Sequence, residues 1–206
     1  MRRRQQSLIW CQYIFLALGL LALGYSAQSL TRAWLYQKQA RQQMEKQLSY
    51  RAALGAGSAA EQQKKMLSTG LGEMSPIARL EIPRAHVSAM VAEGTSSRVL
   101  SRAVGHAIDT ALPGQAGNVT LAAHRDTFFR HLGDLRSGDI IYLKEPGHQY
   151  KYQVRFTAVV TPKDTWVMHP AGHETLTLLT CYPFHFVGPA PDRFIVRARR
   201  VQAAKE

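Results

Sequence analysis

Three side chains in the C-terminal half of the 206-residue chain have chemistry to offer: the thiol of Cys181, the imidazole of His124 and the guanidinium of Arg193. Cys181 closes a short β-branched and apolar run, TLTLLT. A loop with three prolines then leads to the strand FIVRARRV, which Arg193 opens. A neutral thiol is a weak nucleophile, and an imidazole nearby can take its proton or pair with the thiolate. A guanidinium stays charged and can hydrogen-bond an oxyanion or a substrate carbonyl. Taken singly, each residue has a plainer reading: a small buried hydrophobe, a surface histidine and a solvated charge. The case for a site rests on their joint placement.

Strand alternation supplies that placement, because successive side chains point to opposite faces. In 118–124, Val119, Leu121 and Ala123 share one face, and Asn118, Thr120, Ala122 and His124 the other. In 175–181, Leu176 and Leu178 oppose Thr175, Thr177, Leu179 and Cys181. In the last strand Phe194, Val196 and Ala198 oppose Arg193, Ile195 and Arg197. All three candidate residues are therefore expected off the core face, lining an outer groove.

The elements that must hold them are mostly strands. From Pro76 onward, short alternating runs are separated by turn residues, and strands are expected at 77–82, 87–91, 118–123, 139–143, 150–160, 175–180 and 194–201. Ser97–Ala107 reads as a helix, and LPGQAGN and RSGD as turns. Seven or so short strands in this span indicate a barrel or sandwich, and the want of long helices between them disfavours a parallel βαβ sheet.

The N-terminal part is different. Leu8–Tyr25 is apolar apart from Gln12 and reaches about 27 Å as a helix, enough for a bilayer core. Arg2, Arg3 and Arg4 favour a cytoplasmic N-terminus, against which Arg32, Lys38 and Arg41 count on the other side. A cleaved signal peptide is the rival, with Ala27 and Ser29 as small residues near a cleavage point, but the run is long for one. Thr31–Met66 reads as a stalk, weakly amphipathic through Ala40, Met44 and Leu48 and interrupted by Gly55 and Gly57. The expected division is a tail and transmembrane anchor at 1–30, a juxtamembrane stalk or linker at 31–74 and a catalytic domain at 75–206.

Charge and cysteine content narrow the classes. Of the net charge of +12, residues 1–75 carry +7, from 10 basic and 3 acidic side chains. Basicity near an apolar helix fits anionic lipid better than nucleic acid, for which no recognition signature is present. The second cysteine, Cys11, lies in the apolar run, so Cys181 is expected to be an unpaired thiol. A metal site from Cys181, His169, His173 and His185 is disfavoured, since Pro-Ala-Gly separates the two closely spaced histidines and denies them a helical face.

His124 within LAAHRDTFF, Cys181 within TLLTCYPF and Arg193 within DRFIV, in that order, resemble the sortases, specifically the class found in Gram-negative bacteria. GDLRSGDIIYL and IARLEIPR also look like sortase segments, and the resemblance covers residues 76–201. It implies a mostly β, sortase-like closed β-barrel of about seven or eight strands with short helices, preceded by a transmembrane helix and stalk. It implies a cysteine transpeptidase with Cys181 as nucleophile, His124 as acid/base and Arg193 as the group that orients substrate or stabilises the transition state. Its substrate would be a secreted protein with an LPxTG-like C-terminal sorting signal, cleaved through a thioester and passed to an unidentified amine acceptor. Thr180 and Tyr182 beside the thiol, and Phe184, His185 and Phe186 in the following loop, are expected to bind that substrate. No cofactor is implied, and without an acidic cluster of the calcium-activated kind no metal is expected. The implied location is the inner (cytoplasmic) membrane, single-pass, with the N-terminus inside and the catalytic domain periplasmic.

Other readings use the same residues. A thiol peptidase would hydrolyse the signal and ignore added amine. A membrane-tethered, non-catalytic module would only hold an extended peptide. An L,D-transpeptidase would need an SHGxxG signature, which is missing.

Overall fold

A computed structural model describes residues 2–54, 72–170, 172–186 and 188–201. Helix α1 (Arg2–Leu54) is followed by strands β1 (Pro76–Ile82) and β2 (Val87–Glu93), helix α2 (Ser97–Leu100), then β3 (Val104–His106) and β4 (Asn118–Ala122). Strands β5 (Ile140–Glu145), β6 (His148–Val160), β7 (Thr175–Tyr182) and β8 (Asp192–Val201) complete the chain. The eight strands close into a barrel in the order β1-β2-β3-β4-β7-β8-β6-β5, with β5 returning to β1. Most neighbours are antiparallel, while β2–β3 and β4–β7 are parallel. Closure pairs every strand on both sides and leaves no open sheet edge.

The alternation that the sequence predicts is what fills this barrel. Val119 and Leu121 of β4, Leu176 and Leu178 of β7, and Val196 and Ala198 of β8 point inward and are essentially inaccessible. Leu80, Ile82, Leu143 and Tyr152 meet them from the other strands. Burying each such aliphatic side chain contributes about 1.5–3 kcal/mol. Phe129 and Leu132, in the turns after β4, are also fully buried and belong to the same core.

One predicted element is corrected. Ser97–Ala107 is not a single helix: Ser96 caps a helical turn ending at Leu100, and Val104–His106 form β3, parallel to β2. Gly105 is the physical reason that β3 fits there, because a Cβ at this position would overlap the Gly94 carbonyl oxygen. The strands around the thiol are also longer than expected. β7 runs through Cys181 to Tyr182, and β8 begins at Asp192.

Helix α1 is continuous over 53 residues and holds a stretch long and apolar enough to cross a membrane. Trp10, Phe15, Leu21, Leu23 and Tyr25 are exposed on it. Further along, α1 docks on the barrel. Ala40 is buried, and the Tyr36 hydroxyl donates to the Met74 carbonyl at 2.9 Å. Gln37 goes further, accepting from the Met90 amide and donating to the Arg102 carbonyl, both at 2.8 Å. Its carboxamide thus stands where a further peptide rung would lie, just beyond the point where the short β3 begins beside β2. The interruption expected at Gly55 and Gly57 lies outside the described residues.

Candidate active site

Cys181 and Arg193 are direct partners in the antiparallel β7–β8 ladder. On the other side of β7, β4 runs parallel from Asn118↔Thr175 to Ala122↔Leu179. The Ala123 amide still donates to the Leu179 carbonyl at 3.2 Å, and the Thr180 hydroxyl donates to the Ala123 carbonyl at 2.7 Å. His124 follows two residues after Ala122, the last paired residue of β4, as Cys181 follows two after Leu179, the partner of Ala122. Cys181 and Arg193 thus share a rung of β7 and β8, and His124 lies just past the end of β4, the strand on the other side of β7. Because β4 and β8 flank β7 at about 4.8 Å each, the segments bearing His124 and Arg193 lie on opposite sides of the strand that carries the thiol.

Local sequence explains each position. After His124 the chain turns back, its carbonyl accepting from the amides of Thr127 (3.4 Å) and Phe129 (3.2 Å). β8 starts after Pro189 and Pro191, which cannot donate to a ladder. Cys181 is a free, half-buried thiol, and His124 and Arg193 are also half-buried. The Arg193 Nη1 group donates to the carbonyls of Ala190 (3.2 Å) and Asp192 (2.8 Å). Among the described residues no carboxylate forms a salt bridge with Arg193, so its charge remains available to an anion. No group of three or more His, Cys, Asp or Glu converges as a metal site among the described residues.

The outer face below this row is covered. Asn118, Thr120 and Thr177 point away from the barrel interior yet are buried, and a 3-10 turn at Thr165–Met168 lies over Asn118 and Thr177. The Val167 carbonyl accepts from Asn118 Nδ2 at 2.9 Å and from Arg197 Nη1 at 3.2 Å, while the Thr177 hydroxyl donates to Asn118 Oδ1 at 2.8 Å. Burial draws the Arg197 pKa below its ordinary value. One rung under the thiol, Ala122, Leu179 and Ile195 form an apolar floor, and Trp166 and Met168 stand exposed on the turn beside it. A thiol at the end of β7, with an arginine as its ladder partner and a histidine just past the neighbouring strand, has the groups that acyl transfer requires.

The five residues expected to bind substrate are not gathered together. Thr180 is buried and points inward, its hydroxyl spent on Ala123. Tyr182 and Phe184 pack on the core with Phe194, at ring-centroid distances of 5.3–6.2 Å. His185 and Phe186 are exposed in the β7–β8 loop. Two structural features near these residues escaped the sequence reading: the Val167 carbonyl anchor and the loop contacts of Arg125, which follows His124. For the first a signal existed, since polar residues on the outer face of a strand must meet either water or a partner.

Comparison with known proteins agrees with this geometry. A family model described as the Sortase domain matches residues 80–201. The chain is 38% identical over 123 residues to Sortase D of Bacillus subtilis (strain 168), covering 59% of this chain and 62% of that protein. Sortase A of Bacillus anthracis is 26% identical over 121 residues, or 57% of each chain. The chain thus spans about three fifths of the length of the curated relatives it matches. Among solved structures, a Clostridium perfringens Sortase D5 transpeptidase has a TM-score of 0.68 at 27% identity, covering 81% of this chain and 99% of that one. Sortase C-1 from Actinomyces oris has a TM-score of 0.58 at 35% identity, covering 62% and 75%. These relatives are of classes A, C and D from Gram-positive bacteria, which overturns the expected Gram-negative class. The residues behind that expectation are the ones the reaction itself demands, and they do not separate one class from another.

Proposed function

We propose, because the chain belongs to the sortase family, that it is a membrane-anchored cysteine transpeptidase acting on an LPxTG-like C-terminal sorting signal. The observation that carries this reading is the Cys181–Arg193 rung of the β7–β8 ladder, with His124 just past the end of β4 on the other side of β7.

The Cys181 thiolate attacks the carbonyl carbon of the Thr–Gly bond, and the carbonyl π electrons move onto oxygen. The Arg193 guanidinium donates to that oxyanion, an interaction stronger in the tetrahedral state than in the planar substrate. As the oxyanion collapses, the C–N bond breaks and the leaving amine takes a proton from the His124 imidazolium. The product is a thioester on Cys181 with a neutral His124. An incoming amine then attacks the thioester, His124 accepts its proton, and the thiolate leaves. The partly exposed Ala122 and Leu179, backed by the buried Ile195, support an extended peptide laid along the outer face toward the thiol.

The anchor completes the reading. With Arg2–Arg4 on the cytoplasmic side, α1 delivers the barrel to the extracytoplasmic face. Gln37 lies 12 residues beyond Tyr25, about 18 Å of helix, so its docking sets the height of the site above the bilayer.

The test is to incubate the full chain in micelles with a peptide bearing an LPxTG-like signal and follow Cys181 by intact mass. A thioester adduct that added amine converts to a ligated peptide is the expected result. No adduct would sink the reading, and hydrolysis unaffected by added amine would replace it with a thiol peptidase.

A further inference from the structure

Arg125 takes no part in the chemistry above, yet it makes three of the polar contacts that span from β4 to the β7–β8 loop. Its Nη1 donates to the Pro183 carbonyl at 2.9 Å, and its Nη2 donates to those of Phe186 at 2.7 Å and Gly188 at 3.0 Å. The guanidinium also lies over the Phe186 ring, 5.8 Å from its centroid. Gly188 holds φ +110°, a conformation that turns its carbonyl in a way open to few other residues. A planar fork with donors fixed in several directions can close such an arc of carbonyls, whereas a lysine ammonium is a single point of charge.

The second half of the same loop is held by the other arginine. Arg193 donates to Ala190 and Asp192, so the loop that joins the thiol to Arg193 is divided between two guanidiniums. We propose that Arg125 is a positioning residue, clamping the β7–β8 loop to the His124 end of β4 and thereby holding Arg193 in place beside the thiol. Without the clamp, the carbonyls of 183, 186 and 188 turn to water and the loop samples other arrangements. Ala190 and Asp192 move with it, and the fraction of molecules with Arg193 correctly placed falls. Turnover falls in proportion to that fraction.

The kinetic part of this inference rests on the transpeptidase reading, and the exchange part does not. In the full chain in micelles, Arg125→Ala is expected to lower kcat for a sorting-signal peptide by on the order of tenfold to a hundredfold, with a smaller change in KM. Arg125→Lys, which keeps the charge and loses the fork, is expected to recover part of that loss. Amide hydrogen exchange across 184–190 is expected to quicken in Arg125→Ala while the amides of β4, β7 and β8 keep their protection. A variant whose loop amides stay as protected as in the wild type overturns the clamp, whether or not the peptide is processed. Loss of protection across the whole barrel also overturns it, making Arg125 a fold element only. A wild-type chain that leaves the peptide intact overturns the transpeptidase reading, and the exchange comparison still decides the clamp.

Discussion

Cys181 and Arg193 occupy the same rung of the β7–β8 ladder, so the sheet sets the spacing of their backbones, while the carbonyls of Ala190 and Asp192 set where the guanidinium lies. Cross-strand partners have Cβ atoms about 4.5–5.5 Å apart, close enough for the guanidinium to reach an oxyanion formed at the sulfur. Removing that donor in Arg193→Ala is expected to lower kcat by on the order of a hundredfold to a thousandfold with little change in KM. Steady-state kinetics with a sorting-signal peptide measures this, and an unchanged kcat would make Arg193 a structural residue.

His124 is assigned to protonating the leaving amine, so its importance should depend on the leaving group. His124→Ala is expected to slow adduct formation from an amide peptide by on the order of a hundredfold to ten-thousandfold. An activated ester of the same peptide needs no proton on departure and should acylate Cys181 with a much smaller penalty. Equal penalties for the two substrates would remove His124 from that role.

Asn118 joins Thr177 to the Val167 carbonyl on the covered face of β4 and β7. Asn118→Ala removes the shorter of the two hydrogen bonds open to the Thr177 hydroxyl, leaving it the Val167 carbonyl at 3.3 Å, and takes one donor from that carbonyl, at a cost of about 1 kcal/mol. Thermal denaturation should show the loss, together with a raised KM as the turn bearing Trp166 and Met168 loosens. Wild-type stability in this variant would mean that water replaces the side chain without penalty.

Tyr150 provides a pH dependence of definite sign. Burial, then the charge of Glu145 and a hydrogen bond to its carboxylate, push the phenol from 10.0 up to about 12. The folded state thus favours the neutral phenol. Its contribution is complete below pH 10 and is lost as pH rises from 10 toward 12. Tm measured across that window should fall less steeply for Tyr150→Phe than for the wild type. The remaining slope belongs partly to Tyr152, which burial shifts in the same direction. Parallel profiles would show that Tyr150 is not linked to folding.

The barrel and the facing of its central strands were legible because a half-buried strand imposes a period of two. The same rule that put Leu176 and Leu178 inside sent Cys181 outside, and applied to Thr180 it puts that residue inside as well, against the expectation that it binds substrate. β3 was hidden because three residues are too few to show a period, and a helix-forming stretch precedes them. The class of relatives was misread for another reason: His124, Cys181 and Arg193 are fixed by the reaction, so they identify the chemistry and say little about lineage. The Arg125 contacts left no trace in the loop sequence, since main-chain carbonyls accept equally well from any residue type.

Gln37 gives the anchor helix a part in the sheet that a tether would not have. A barrel cut free of residues 30–54 would present the Met90 amide and the Arg102 carbonyl to solvent as adjacent, unsatisfied main-chain groups. Such a pair is the beginning of an edge on which another extended chain can add itself as a strand. If α1 anchors the protein as proposed, the same helix also covers the start of that edge, and a barrel released from it is expected to self-associate more readily.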